Sequence, residues 1–155
     1  MGEYQLLVEA YNMPMETLLG TTTFVLHKVA VASRRAIADR LGDKPGLTLW
    51  QFAALAELDD QGPVAQNALA TALGMDPSDM VRLMDELVDR RLVARDRDPA
   101  DRRRYRVTLT AGGRKALAAG RSVVREVEKA TLAPLTAAER AMLHDLAVKI
   151  HRRDR

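Results

Sequence analysis

The sequence predicts a mainly α-helical protein with one small β-hairpin, an α+β fold of six helices. Three observations carry that expectation. Apolar residues recur at helical spacing over most of the chain, and residues that start and stop helices bracket those stretches. Strict alternation appears clearly only once, from Tyr105 to Leu109. The 155 residues, 47% hydrophobic and 29% charged, suit one domain with one core. Aromatic residues are only 4%, so that core must be built from Leu, Val, Ala and Met.

Each element has its own signal. A first helix is expected from near Pro14 to Leu41, with Leu18, Thr22, Val25, Val29, Ser33, Ala36 and Ile37 close to one stripe and Gly42 as its stop. Thr48 opens the second helix, and Gln51 three residues later completes a capping box. Leu49, Phe52, Ala53, Leu55, Ala56 and Leu58 supply its apolar positions before Asp59–Gly62 ends it. Pro63 is expected to open a short third helix carrying Leu69, Ala70 and Leu73 and stopping at Gly74. Asp76 caps the fourth helix, with Pro77 at its first position and Val81, Met84, Leu87 and Val88 on the expected buried face; it should end near Arg91. Two short strands follow, one from Leu92 and one over Tyr105–Leu109, joined through Asp98-Pro99-Ala100-Asp101. Thr110 caps a fifth helix with Leu117, Val123, Val124 and Val127, expected to end at Pro134. Thr136 and Glu139 form a second capping box, opening a sixth helix with Leu143, Leu146, Ala147 and Ile150.

Composition also narrows the chemistry. The absence of cysteine excludes disulfides, a Cys-based zinc site and thiol redox sensing within the chain. His27 stands alone on a helix, and His144 and His151 follow far downstream, so no metal site is expected. No Gly-rich phosphate loop or Ser-His-Asp arrangement is visible, so neither an enzyme nor a cofactor is expected. The first residues include Glu3 and Glu9 without a basic-then-apolar leader, and no apolar run approaches the roughly 20 residues that span a bilayer. The expected location is cytoplasmic, without membrane contact.

The residues point instead to nucleic acid. The net charge is only +3, but Arg102, Arg103, Arg104 and Arg106 crowd one short stretch. Ala70 and Gly74 are what two closely packed helices need at a sharp turn. After that turn Ser78, Asp79 and Arg82 share the start of a helix. Such a start can meet base edges in the major groove, about 12 Å wide. Arg82 suits guanine bidentately, and Ser78 suits a phosphate at the helix N-terminus. Asp79 can accept from a cytosine amino group, orient Arg82 or Arg95, or simply cap the helix. The hairpin behind carries Arg102–Arg104 beside its tip, where a thin ribbon can enter the narrow minor groove. Asp101 can hold Arg103 there by a charge-assisted hydrogen bond.

Taken together, Asp101-Arg102-Arg103-Arg104-Tyr105-Arg106-Val107-Thr108-Leu109-Thr110 resembles the wing signature of MarR-type regulators: Asp-x-Arg, five residues, then Leu-Thr. Gly113, the upstream Leu92-Val93-x-Arg95 and the six-helix order fit as well. Arg91 departs from the pattern, which often has Gly before Leu-Val. The resemblance implies a winged helix-turn-helix in an interlocked homodimer. The chain would be a single domain, with residues 1–46 and 111–155 as dimerisation platform and 47–110 as DNA-binding lobe. Leu6, Leu7, Tyr11, Leu132, Leu135, Leu143, Leu146 and Ile150 become dimer candidates. A two-fold dimer implies a pseudo-palindromic double-stranded operator. The family further implies a repressor released by a small, often aromatic, acid. Phe24, His27 and Trp50, with Arg34 as anion partner, are candidates for that pocket; Phe24 and Trp50 also read as plain core. The second reading is a winged-helix protein–protein interaction module that docks an acidic partner through its basic hairpin.

Overall fold

The structure, a computed structural model, describes residues 18–97 and 105–153. In order these form α1 (Thr22–Asp43), α2 (Leu49–Gln61), β1 (Val64–Ala65), α3 (Gln66–Leu73), α4 (Pro77–Asp89), β2 (Val93–Arg97), β3 (Tyr105–Leu109), α5 (Ala111–Thr131) and α6 (Ala137–Arg153). The strands make one antiparallel sheet in the order β1-β3-β2. Val93 faces Leu109 and Arg97 faces Tyr105 across β2 and β3, while Val64 faces Val107 across β1 and β3. The six-helix order with a β-hairpin is the one expected.

The helix starts follow their capping residues. Thr48 Oγ1 accepts from the Gln51 N–H at 3.1 Å, and Gln51 Oε1 accepts from the Thr48 N–H at 3.1 Å, so the α2 capping box is complete. Thr136 and Glu139 repeat the arrangement at α6. Gly62, at φ 75°, closes α2 with its N–H on the Leu58 carbonyl.

Residues 37–129 and residues 1–36 with 130–155 form two compact units. The first contains the sheet and the core, in which Leu55, Leu58, Leu69, Met80, Met84, Leu87, Val107 and Leu117 are all buried. Phe52 of α2 packs against Gly120 of α5, where a Cβ would meet its ring at 2.6 Å. In the second unit the described residues leave many large apolar side chains exposed: Leu19, Val25, Leu26, Val29 and Val31 toward the start of the chain, and Met142, Leu146 and Ile150 on α6. Among the described residues no helix is long and apolar enough to cross a membrane.

Four expectations need correction. Pro63 does not open a helix: Val64 and Ala65 pair with Val107 and Arg106 before α3 begins at Gln66. This short strand satisfies the second edge of β3, and two residues are too few to show alternation in sequence. The buried face of α4 is Met80, Leu83, Met84 and Leu87, spaced i, i+3, i+4, i+7, so Val81 is 46% exposed rather than buried. Moving the stripe by one residue turns the helix face by about 100°. Finally, α5 ends at Thr131, ahead of Pro134, and α1 runs on past Gly42 to Asp43.

Candidate nucleic-acid interface

The turn between α3 and α4 is built as its residues require. Gly74 takes the left-handed conformation, φ 60° and ψ 33°. Its N–H reaches the Thr71 carbonyl at 3.1 Å, and the Met75 N–H reaches Ala70 at 2.9 Å, so two otherwise unpaired carbonyls at the end of α3 are satisfied. Ala70 is buried there, and a larger side chain would hold the helices apart. Two residues on, Asp76 caps α4: its Oδ1 accepts from the Ser78 N–H at 2.8 Å and from the Ser78 hydroxyl. The Ser78 hydroxyl, then its N–H, hold the Asp76 carboxyl below its ordinary pKa.

The outward face of α4 carries Ser78, Asp79, Val81 and Arg82, all exposed. Arg82 Nη2 donates to Asp79 Oδ1 at 2.6 Å, with 73% and 54% of the two side chains exposed. Of the readings open for Asp79, the structure pairs it with Arg82 and not with Arg95. Arg95 instead meets Asp85 at 2.8 Å and lies over the Tyr105 ring, 5.0 Å from its centroid; Arg97 lies over the same ring at 4.2 Å. The Ser78 hydroxyl has one proton, and Asp76 takes it.

The far end of α4 is tied to α2 through Gln51, which is 5% exposed. Gln51 Nε2 donates to Glu86 Oε2 at 2.8 Å, and its Oε1 accepts from Arg90 Nη1 at 3.0 Å. The same side chain therefore closes the α2 cap and fixes α4, a double duty invisible in a capping-box pattern. Trp50, beside it, is 49% exposed and lines a surface pocket of about 410 Å³ with Asp79, Arg82 and Glu86. It is not a core residue.

The hairpin base is locked to α5. The single Thr110 hydroxyl proton is shared between the Arg91 and Leu92 carbonyls, 2.8 and 2.9 Å away, and the hydroxyl oxygen accepts from the Gly113 N–H at 2.9 Å. A Cβ on Gly113 would overlap the Leu92 carbonyl oxygen. The Leu109-Thr110…Gly113 spacing thus has a mechanical meaning, a buried Leu followed by a cap and a backbone approach that only glycine allows. Arg91 sits at φ 56°, the left-handed conformation that glycine adopts freely.

The remaining candidates fall as follows. Asp101, Arg102, Arg103 and Arg104 lie outside the described residues, as do Leu6, Leu7 and Tyr11. Arg106 is exposed and donates from Nη2 to the Pro63 carbonyl at 3.3 Å. Phe24 is half-buried, and His27 and Arg34 are exposed, in the unit that includes residues 1–36; Trp50 belongs to the other unit. Leu132, Leu135 and Leu143 are half-buried, while Leu146 and Ile150 are exposed. Sequence reasoning passed over Val81, Gln51 and Tyr105 as site residues. The i, i+3, i+4, i+7 run of Met80, Leu83, Met84 and Leu87 is the signal that turns Val81 outward.

Known proteins share this fold. A sequence model of the MarR family matches residues 46–104. The transcriptional repressor NicR of Pseudomonas putida is 32% identical over 118 residues, covering 76% of this chain and 75% of NicR. A cysteine-to-serine mutant of Escherichia coli MarR, solved in complex with operator DNA, is 27% identical with a TM-score of 0.68, covering 81% of this chain and 90% of that one. Bordetella bronchiseptica BpsR, whose DNA binding is regulated by 6-hydroxynicotinic acid, is 29% identical with a TM-score of 0.67, covering 82% and 96%. With its turn, capped α4 and locked hairpin in the family's order, the chain belongs to the MarR family of transcriptional regulators.

Proposed function

We propose that the chain is a homodimeric, sequence-specific repressor in the cytoplasm that binds a pseudo-palindromic double-stranded operator and releases it when a small aromatic acid binds. The observation that carries this reading is α4: a capped helix behind a tight turn, with Asp79, Val81 and Arg82 turned outward and a basic hairpin directly after it. The operator complex of MarR and the ligand response of BpsR support DNA and a small acid as partners.

In this reading residues 47–110 are the DNA-binding lobe, and residues 1–46 and 111–155 form the dimerisation platform. Ser78, Asp79 and Arg82 face the major groove; Arg102, Arg103, Arg104 and Arg106 serve the wing, with Asp101 holding Arg103. The exposed Leu146 and Ile150 support a second copy as the partner, joined by Leu6, Leu7, Tyr11, Leu132, Leu135 and Leu143. Phe24, His27, Arg34 and Trp50 are the ligand-pocket candidates. A ligand that favours one spacing of the recognition helices lowers affinity for DNA that demands another.

Salt dependence tests the reading. A dimer neutralising some 6–10 phosphates should lose about 10³–10⁵-fold in affinity between 50 and 200 mM salt. Arg103→Ala should weaken operator binding without changing the melting temperature. Flat salt dependence, or unchanged affinity in that variant, would count against the DNA and wing assignments respectively.

A further inference from the structure

We propose that Asp79 sets base choice through Arg82, and that Val81 beside them is a second, apolar base-reading group, so that each half-site is read as a guanine together with a thymine methyl. This rests on the DNA-binding reading and adds what the helix reads.

The carboxylates of α4 and its cap are mostly committed elsewhere. Asp76 holds Ser78, Asp85 holds Arg95, and Glu86 accepts from Gln51. Asp79 holds a cation on the outward face at the start of the helix, Arg82. An exposed pair of this spacing adds little to stability, so folding does not require it. Its effect is geometric. An arginine 73% exposed samples many rotamers; a carboxylate on Nη2 restricts it. One Nη2 hydrogen goes to Asp79, which leaves a second Nη2 hydrogen and the Nη1 hydrogens to form the fork that matches guanine O6 and N7. The acidic group also repels phosphate, which turns Arg82 from generic backbone contact toward a base.

Val81 adds the second half. It is 46% exposed on a helix whose other large apolar residues are buried or half-buried. It adjoins Arg82 in the chain, and an apolar side chain at a base edge is suited to the thymine C5-methyl.

The test is selection from a randomised DNA duplex pool with the full chain, then binding to duplexes changed one base pair at a time. Wild type should show a G·C pair in each half-site whose change weakens binding about tenfold or more. It should also show a thymine whose replacement by uracil weakens binding about fourfold, the worth of one buried methyl. Asp79→Asn and Asp79→Ala should flatten the G·C preference and, by releasing Arg82 to the backbone, steepen the salt slope by up to about one. Val81→Ala should erase the thymine–uracil difference and leave the G·C preference intact. Melting temperatures of these surface variants serve as the folding control. Variants that keep wild-type preferences, or that weaken all duplexes equally, would overturn the proposal while leaving DNA binding standing. Failure of the wild-type chain to select any sequence would overturn the DNA-binding reading and this inference together.

Discussion

Helices α4 and α6 are both opened by side-chain caps, yet they dispose of their apolar residues in opposite ways. The 13-residue α4 buries Met80, Leu83, Met84 and Leu87 within its own chain. None of the described residues of α6 is buried, and Met142, Leu146 and Ile150, spaced i, i+4, i+8, are 65%, 52% and 60% exposed. The unit around α4 completes its core alone; the unit containing α6 presents an apolar stripe that a single chain leaves in water. The contrast matches the two jobs proposed above: one part of the molecule reads DNA, and the other takes a partner.

The largest effect should come from the unfinished side. If a second copy covers the stripe, Leu146→Ala with Ile150→Ala removes roughly 2–5 kcal/mol per buried side chain from association. Sedimentation velocity should show a monomer, while urea unfolding of the residue 37–129 unit stays unchanged. A persistent dimer would show that the stripe lies outside the interface.

The finished side breaks differently. Gly113→Ala sets a Cβ against the Leu92 carbonyl, and Gly120→Ala sets one against the Phe52 ring. Each should cost about 1–3 kcal/mol of unfolding free energy, measured by urea titration. Arg91→Gly should act in the other direction, by about 0.5–1 kcal/mol, because it relieves a left-handed backbone at the price of a looser unfolded chain.

A smaller effect belongs to Asp76. Ser78 lowers its pKa in the folded state, so the cap's contribution is present above the ordinary carboxylate pKa and is lost as pH falls through the lowered one. Asp76→Asn keeps a cap but should remove that part of the acid dependence, which melting curves at neutral and acid pH would detect.

Much of this contrast is legible in the amino-acid sequence. Thr48–Gln51, Gly74, Asp76–Pro77 and Thr136–Glu139 announce their turns and caps because local backbone chemistry settles them. What escapes depends on partners distant in sequence. Val64–Ala65 is a strand only because β3 offers an edge, and Gln51 meets Glu86 and Arg90 more than thirty positions away. The face of α4 turns on whether Met80 or Val81 begins the stripe, a choice that helical period alone leaves open. Of the site, Asp79 and Arg82 are evident as a pair of neighbours, but their ion pair is one of several options, while Trp50 is singled out by chemistry that says nothing about exposure.

The most direct test is a footprint of the full chain on the DNA upstream of its own gene. Two protected half-sites related by two-fold symmetry, with centres about one helical turn (~34–36 Å) or a multiple apart, are predicted, and the Leu146→Ala, Ile150→Ala variant should lose them. Absence of protection, or a single half-site held by the intact chain, would contradict the account.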